Sequence, residues 1–184
     1  LKPEVLDLLP LLGAGKAAQI RRAESLVIKI CYQGTQYRLR LACEVEHLRR
    51  LQHASEALVV PRLYAQSDNA FVRDYLELPT LAAFLRKPKV SQSLLQLAYN
   101  VMLQAVAYRK KHHYAVDFAP DNLFVDLKQQ VLILGDLGER LIPNPWIRPN
   151  FEEFCAVLRN YSEYKSALEK NAALEPMLFP PSGK

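Results

Sequence analysis

The spacing of apolar residues changes period along the chain, and the period marks out the elements. Gly13-Ala-Gly15-Lys16 reads as a turn, preceded by a short helical or extended lead-in, Leu1 to Leu12, and followed by an alternating stretch, Ala18 to Arg22. This is a strand–turn–strand signature. Ser25 to Ile30 is a β-branched strand carrying one charge, Lys29. From Tyr37 to Gln52 the period becomes helical: Leu39, Leu41, Val45, Leu48 and Leu51 form the apolar set, with Arg38, Arg40, Arg49 and Arg50 as a basic surface. Leu58 to Tyr64, interrupted by Pro61, and Ala70 to Tyr75 read as two more strands joined by a Gln66–Asn69 turn. The five strands predict a small antiparallel sheet.

Beyond residue 76 the pattern is mostly helical. Leu76 to Pro79 is a connector, Thr80 an N-cap and Leu81 to Leu85 a short helix. Ser91 to Lys111 carries a broad stripe of Leu94, Leu95, Leu97, Ala98, Val101, Met102, Ala105 and Val106, the expected buried spine of a second lobe. It ends in Arg109-Lys-Lys-His-His113, where cations suit the helix dipole. Prolines 143, 145 and 149 make the stretch from Glu139 to Asn150 irregular, with Trp146 as an anchor. Phe151 to Lys170 reads as a last amphipathic helix and Pro176 to Lys184 as a frayed tail. The predicted division is a lobe of residues 1–76 and another of residues 77–184.

Composition narrows the class. Half of the 184 residues are hydrophobic, enough to bury one domain or two small lobes. Cys31, Cys43 and Cys155 are odd in number and lack CxxC spacing, which predicts buried free thiols and a reducing, cytoplasmic compartment. No stretch approaches the roughly 18 apolar residues of a membrane span. A net charge of +5 favours acidic partners: nucleotides, phosphorylated glycans, anionic surfaces or nucleic acid. Nucleic acid is the least favoured, because the helical arginines are not interleaved with aromatics.

The chemistry concentrates between Tyr114 and Gly138. Asp117 and Asn122 share a loop, and the apolar run Val131–Leu134 delivers a second carboxylate, Asp136, into a turn closed by Gly138. Two carboxylates and an amide suit Mg²⁺, which prefers oxygen ligands and keeps waters and substrate phosphates as the rest of its shell. Of only six glycines, Gly13, Gly15, Gly135 and Gly138 fall in two short turns, and glycine allows the close backbone approach a phosphate-cradling loop uses. Lys29 could sit beneath the first of these turns as a point charge for phosphates. Glu44 or Glu46 could meet it across a helix–strand contact. His112 and His113 are adjacent on a helix, so they do not face each other and make a poor metal pair.

This ordering resembles the protein-kinase-like superfamily. Asp117-Phe-Ala-Pro-Asp-Asn122 is similar to the catalytic loop, Asp136-Leu-Gly138 to a DFG variant, and Val27-Ile-Lys29-Ile to the ATP-lysine strand. Glu44 to His53 has the helix-C register that selects Glu44 over Glu46, and Phe71 to Glu77 resembles the hinge. The resemblance implies an α+β bilobal fold with a five-stranded antiparallel N-lobe sheet, helix C and a truncated helical C-lobe. It implies nucleotide contacts at Gly13, Gly15, Asp74 and Leu76, and phosphate binding by Lys29 held by Glu44. Asn122 and Asp136 would ligate Mg²⁺, with Asn122 also meeting the nucleotide, and Asp117 would accept a hydroxyl proton; ATP and Mg²⁺ are the implied partners.

Some positions depart from the family pattern. Ala17-Ala18 stands where a third glycine belongs, Ala115 where the loop histidine belongs, and Arg73 at the gatekeeper position. The 46 residues after Gly138 leave no room for a peptide-docking platform, so the expected acceptor is a hydroxyl on a small molecule, lipid or glycan ahead of a protein Ser or Thr. The same tail is similar to the small PhoP-regulated kinase-like proteins and, more distantly, the lipopolysaccharide sugar kinases. The alternative is a pseudokinase, a nucleotide-binding or scaffolding module without transfer activity.

Overall fold

The computed structural model describes residues 8–15, 17–53, 58–87, 89–112, 114, 116–117, 119–137 and 156. Lys16, His113, Ala115, Gly138, Trp146, Cys155, the tail and, apart from Ala156, the helix expected from Phe151 to Lys170 lie outside the described residues. The chain forms two compact units, Leu1–Glu56 with Val60–Glu77, and Ala57–Val59 with Leu78–Lys184.

The first unit is a five-stranded antiparallel sheet with one helix. Its strands are β1 (Leu11–Ala14), β2 (Ala18–Ala23), β3 (Leu26–Cys31), β4 (Leu63–Gln66) and β5 (Ala70–Asp74), in the order β1-β2-β3-β5-β4. The chain carries strand structure further into the first glycine motif than the sequence suggests. β1 runs through Gly13, which pairs with Ile20 beside a bulge, and the turn begins at Gly15, whose N–H donates to the Ala18 carbonyl. β4 starts only after Pro61, which has no N–H to give a ladder. Leu58 and Val59 therefore do not extend it; Val59 bridges in parallel to Ile133 of the second unit.

Helix α1 (Thr35–His53) begins just after Gly34, whose φ of 133° lies where a side chain is strained. Its buried face is Leu41, Val45, Leu48 and Leu51. Leu39, expected in the same stripe, is 66 % exposed. Two residues of helix turn the chain by about 200°, so Leu39 and Leu41 cannot share a face.

The second unit contains α2 (Leu81–Leu85), α3 (Gln92–His112), a 3₁₀ turn (Pro120–Asn122) and a hairpin of β6 (Leu123–Asp126) and β7 (Val131–Leu134). Leu94, Leu95, Ala98, Val101, Met102, Ala105 and Val106 of α3 are buried. Ser91 caps this helix, its Oγ accepting from the Leu94 N–H at 3.3 Å. Thr80 does not cap α2 with its side chain; its carbonyl takes the Ala83 N–H instead, and its backbone bridges to Phe124. Asp126 Oδ1 accepts the N–H groups of Lys128 and Gln129, which turns the chain from β6 to β7. Among the described residues no helix is long and apolar enough to cross a membrane.

Candidate active site

In the first unit the site is built on β3, a central strand rather than an edge. Lys29 pairs with Ile20 on one side and Phe71 on the other. Its stem is thereby enclosed, and its Nζ lies 5.9 Å from the Phe71 ring centre. The ammonium reaches Glu44 of α1 at 3.0 Å and 2.7 Å to the two carboxylate oxygens. The side chains of Lys29 and Glu44 are only 14 % and 7 % exposed. Glu46 faces solvent and pairs with Arg50 at 2.8 Å, an ordinary surface contact one turn away. The register of α1 thus selects Glu44. Cys31, two residues along β3, is a buried thiol pushed upward in pKa by desolvation, partly opposed by Arg38. Cys43 is half-buried.

Gly13 and Gly15 both have negative φ, and a Cβ at Gly13 would meet nothing within 4 Å. Neither fold nor torsion requires glycine at these two positions. Gly13 provides open space above the backbone, the property that close approach of a phosphate uses, while a Cβ at Gly15 would touch the Ala18 carbonyl oxygen at 3.7 Å.

At the other end of β5, Asp74 serves the sheet. Its carboxylate accepts the Arg62 N–H at 2.9 Å and the Tyr64 hydroxyl at 2.7 Å, tying β4 to β5. That hydrogen bond, with some desolvation, raises the Tyr64 pKa. The side chain of Asp74 is therefore a clamp, and any ligand contact here falls to the backbone. Leu76 is half-buried in the irregular segment that follows. Arg73 is buried at 9 % exposure, with Nη1 donating to the Asp74 carbonyl at 3.3 Å.

In the second unit Asp117, Asn122 and Asp136 are all half-buried. Asp117 Oδ1 accepts the Ala119 N–H at 3.0 Å, which fixes its carboxylate against its own loop. The 3₁₀ turn then carries the chain to Asn122, directly before β6. Because Leu123 pairs with Leu134, Asn122 lies opposite Gly135, and the Gly135 N–H donates to the Asn122 carbonyl at 2.7 Å. Asp136 is the next residue. The hairpin register therefore places the two candidate metal ligands at neighbouring positions.

This closure depends on Gly135. A Cβ there would overlap the Phe124 ring and crowd the Asn122 carbonyl. Gly135→Ala is expected to cost about 1–3 kcal/mol, the range for overpacking a filled site. Urea denaturation checks this, and Phe124→Leu in the same chain should recover part of the loss.

Among the described residues no three His, Cys, Asp or Glu side chains gather as a metal site. The His112 ring lies 4.5 Å from that of Tyr108, an aromatic contact within α3. Asn122 and Asp136 supply one amide and one carboxylate oxygen donor, a set too sparse to cage Ca²⁺ or Zn²⁺. It fits Mg²⁺, which takes one or two carboxylates and completes its shell with water and phosphate oxygens.

No protein-family model matches the chain, and no curated protein does. Among solved structures it is similar to the ternary complex of streptomycin, ATP and APH(2″)-IIa, at 19 % identity and a TM-score of 0.43 over 58 % of its length. The chain spans 39 % of that protein.

Proposed function

We propose that the chain is a Mg²⁺-dependent phosphotransferase of kinase-like type, moving the γ-phosphoryl group of a nucleoside triphosphate to a hydroxyl. The observation that carries this reading is the buried, two-pronged Lys29–Glu44 pair. Burying two charges costs several kcal/mol each, and a well-packed apolar pair holds a fold at least as well. An ammonium oriented this way is instead suited to phosphate oxygens.

The roles follow from the side chains. Lys29, oriented by Glu44, holds the phosphates, and the glycine turn, with open backbone at Gly13 and a small residue at Gly15, lets them approach. Asn122 and Asp136 hold Mg²⁺, which when bound neutralises charge on the β- and γ-phosphates. Asp117 accepts the proton of the acceptor hydroxyl as its oxygen bonds to the γ-phosphorus and the bridging bond to the β-phosphate breaks. The sequence resemblance gives ATP as donor and a small-molecule, glycan or lipid alcohol as acceptor.

Incubating the chain with γ-labelled nucleoside triphosphates tests the reading. Label should leave the nucleotide in the presence of Mg²⁺, and chelation by EDTA should return the rate to background. Binding without any Mg²⁺-dependent loss of label would instead define a nucleotide-binding pseudokinase.

A further inference from the structure

Arg73 takes no part in the phosphotransfer roles assigned to Lys29, Glu44, Asp117, Asn122 and Asp136. Paired residues on neighbouring strands share a face, as do residues two apart on one strand. Lys29 pairs with Phe71 and Val27 with Arg73, so Lys29, Val27 and Arg73 lie on one face of the sheet. The glycine turn stands at the opposite end of that face, because Ala18 pairs with Cys31. A nucleotide with its phosphates at the turn and at Lys29 therefore extends its base toward Val27 and Arg73, one strand repeat or about 7 Å further on. There the chain leaves β5 for Tyr75 and Leu76.

What the base meets is a guanidinium, which only donates hydrogen bonds and stays charged at any working pH. Its Nη1 donates to the Asp74 carbonyl, so that backbone acceptor is already engaged by a cation. Adenine presents an N6 amino group, a donor, beside N7. Guanine presents two acceptors there, O6 and N7, the edge that arginine binds with two hydrogen bonds. Arg22, in the same row opposite Val27, has its guanidinium 4.1 Å over the Tyr75 ring and 3.7 Å from the Glu77 carboxylate, so Arg73 is the cation of this row that the base would meet.

Resting on the phosphotransferase reading, we propose that Arg73 selects the base, and that the donor is a guanine nucleotide rather than ATP. Its O6 and N7 accept from the Arg73 guanidinium, while the adenine amino group opposes it.

Thermal-shift titrations of the full chain with Mg²⁺ and GTP, ITP, ATP or 2-aminopurine riboside triphosphate test this, since a ligand raises the melting temperature by mass action. GTP should bind about tenfold or more tighter than ATP, the discrimination one good bidentate contact supplies. ITP keeps O6 and N7 and should follow GTP; the 2-aminopurine nucleotide lacks O6 and should follow ATP. Arg73→Met should erase the GTP preference, and the analogue series decides the matter if that variant does not fold. ATP binding as tightly as GTP would overturn the inference and leave the phosphotransferase reading standing. No response to any nucleotide would overturn both.

Discussion

Asp117→Asn is expected to lower phosphoryl transfer by between about a hundredfold and ten-thousandfold, the usual contribution of a positioned general base. Asparagine keeps an oxygen that can take the Ala119 N–H, so the loop should hold its shape. What it loses is the negative charge and the ability to take a proton from the acceptor. Nucleotide affinity should change little, because this role places the carboxylate on the acceptor side of the reaction. Turnover measured beside nucleotide binding by calorimetry separates the two. Unchanged turnover would remove Asp117 from the chemistry.

The second large effect concerns stability. Glu44→Leu leaves the Lys29 ammonium enclosed between Ile20 and Phe71 without its carboxylate, and should cost about 3–5 kcal/mol in urea denaturation. The double variant Lys29→Met with Glu44→Leu should recover most of that loss, since an apolar pair of similar size needs no desolvation. It should also have no transferase activity. This divergence, a stable but inactive chain, is what distinguishes a pair kept for phosphate binding from one kept for folding. A single variant as stable as the parent would show that the buried pair is not formed in solution.

Much of the first unit was legible in the sequence because its signals are local. Alternation over Ala18–Arg22, the β-branched run at Lys29 and the helical stripe after Tyr37 each fix an element without reference to distant residues. Residue spacing alone leaves Glu44 and Glu46 as partners for Lys29, since the two differ in helix face and the face is set by packing; the kinase-like register of Glu44 to His53 selects Glu44, the residue that Lys29 meets. Leu39 is grouped by its spacing with the helical apolar set of α1, yet its angular position, about 200° from Leu41, puts it outside the buried face. Leu58–Val59 resembles the start of β4, yet Pro61 interrupts the ladder and Val59 pairs with Ile133 instead, a long-range choice no local pattern contains.

In the second unit the sequence locates Asp117, Asn122 and Asp136 and marks Val131–Leu134 as an apolar run, but it assigns no strand to the segment between Asn122 and that run. The missed element is β6, whose Leu123 and Val125 are buried while Phe124 and Asp126 are half-buried. Its signal was present in that alternation and in the polar Lys128-Gln-Gln130 turn. The sequence groups Gly135 with Gly138 in a phosphate-type turn. Its structural duty is to let the hairpin close on Phe124, which is how two ligands fourteen residues apart become neighbours.

The pairing of Val59 with Ile133 has a consequence for how the chain can be divided. The first unit is discontinuous in sequence, since Ala57–Val59 belongs to the second. A polypeptide ending at Glu77 would carry Val59 without its partner strand, and one beginning at Leu78 would leave that flank of β7 as a bare edge, with the Leu134 N–H deprived of the Val59 carbonyl. A fragment beginning at Leu78 therefore lacks part of its own unit, whereas one ending at Glu77 contains the whole of the first unit together with three residues that belong to the second.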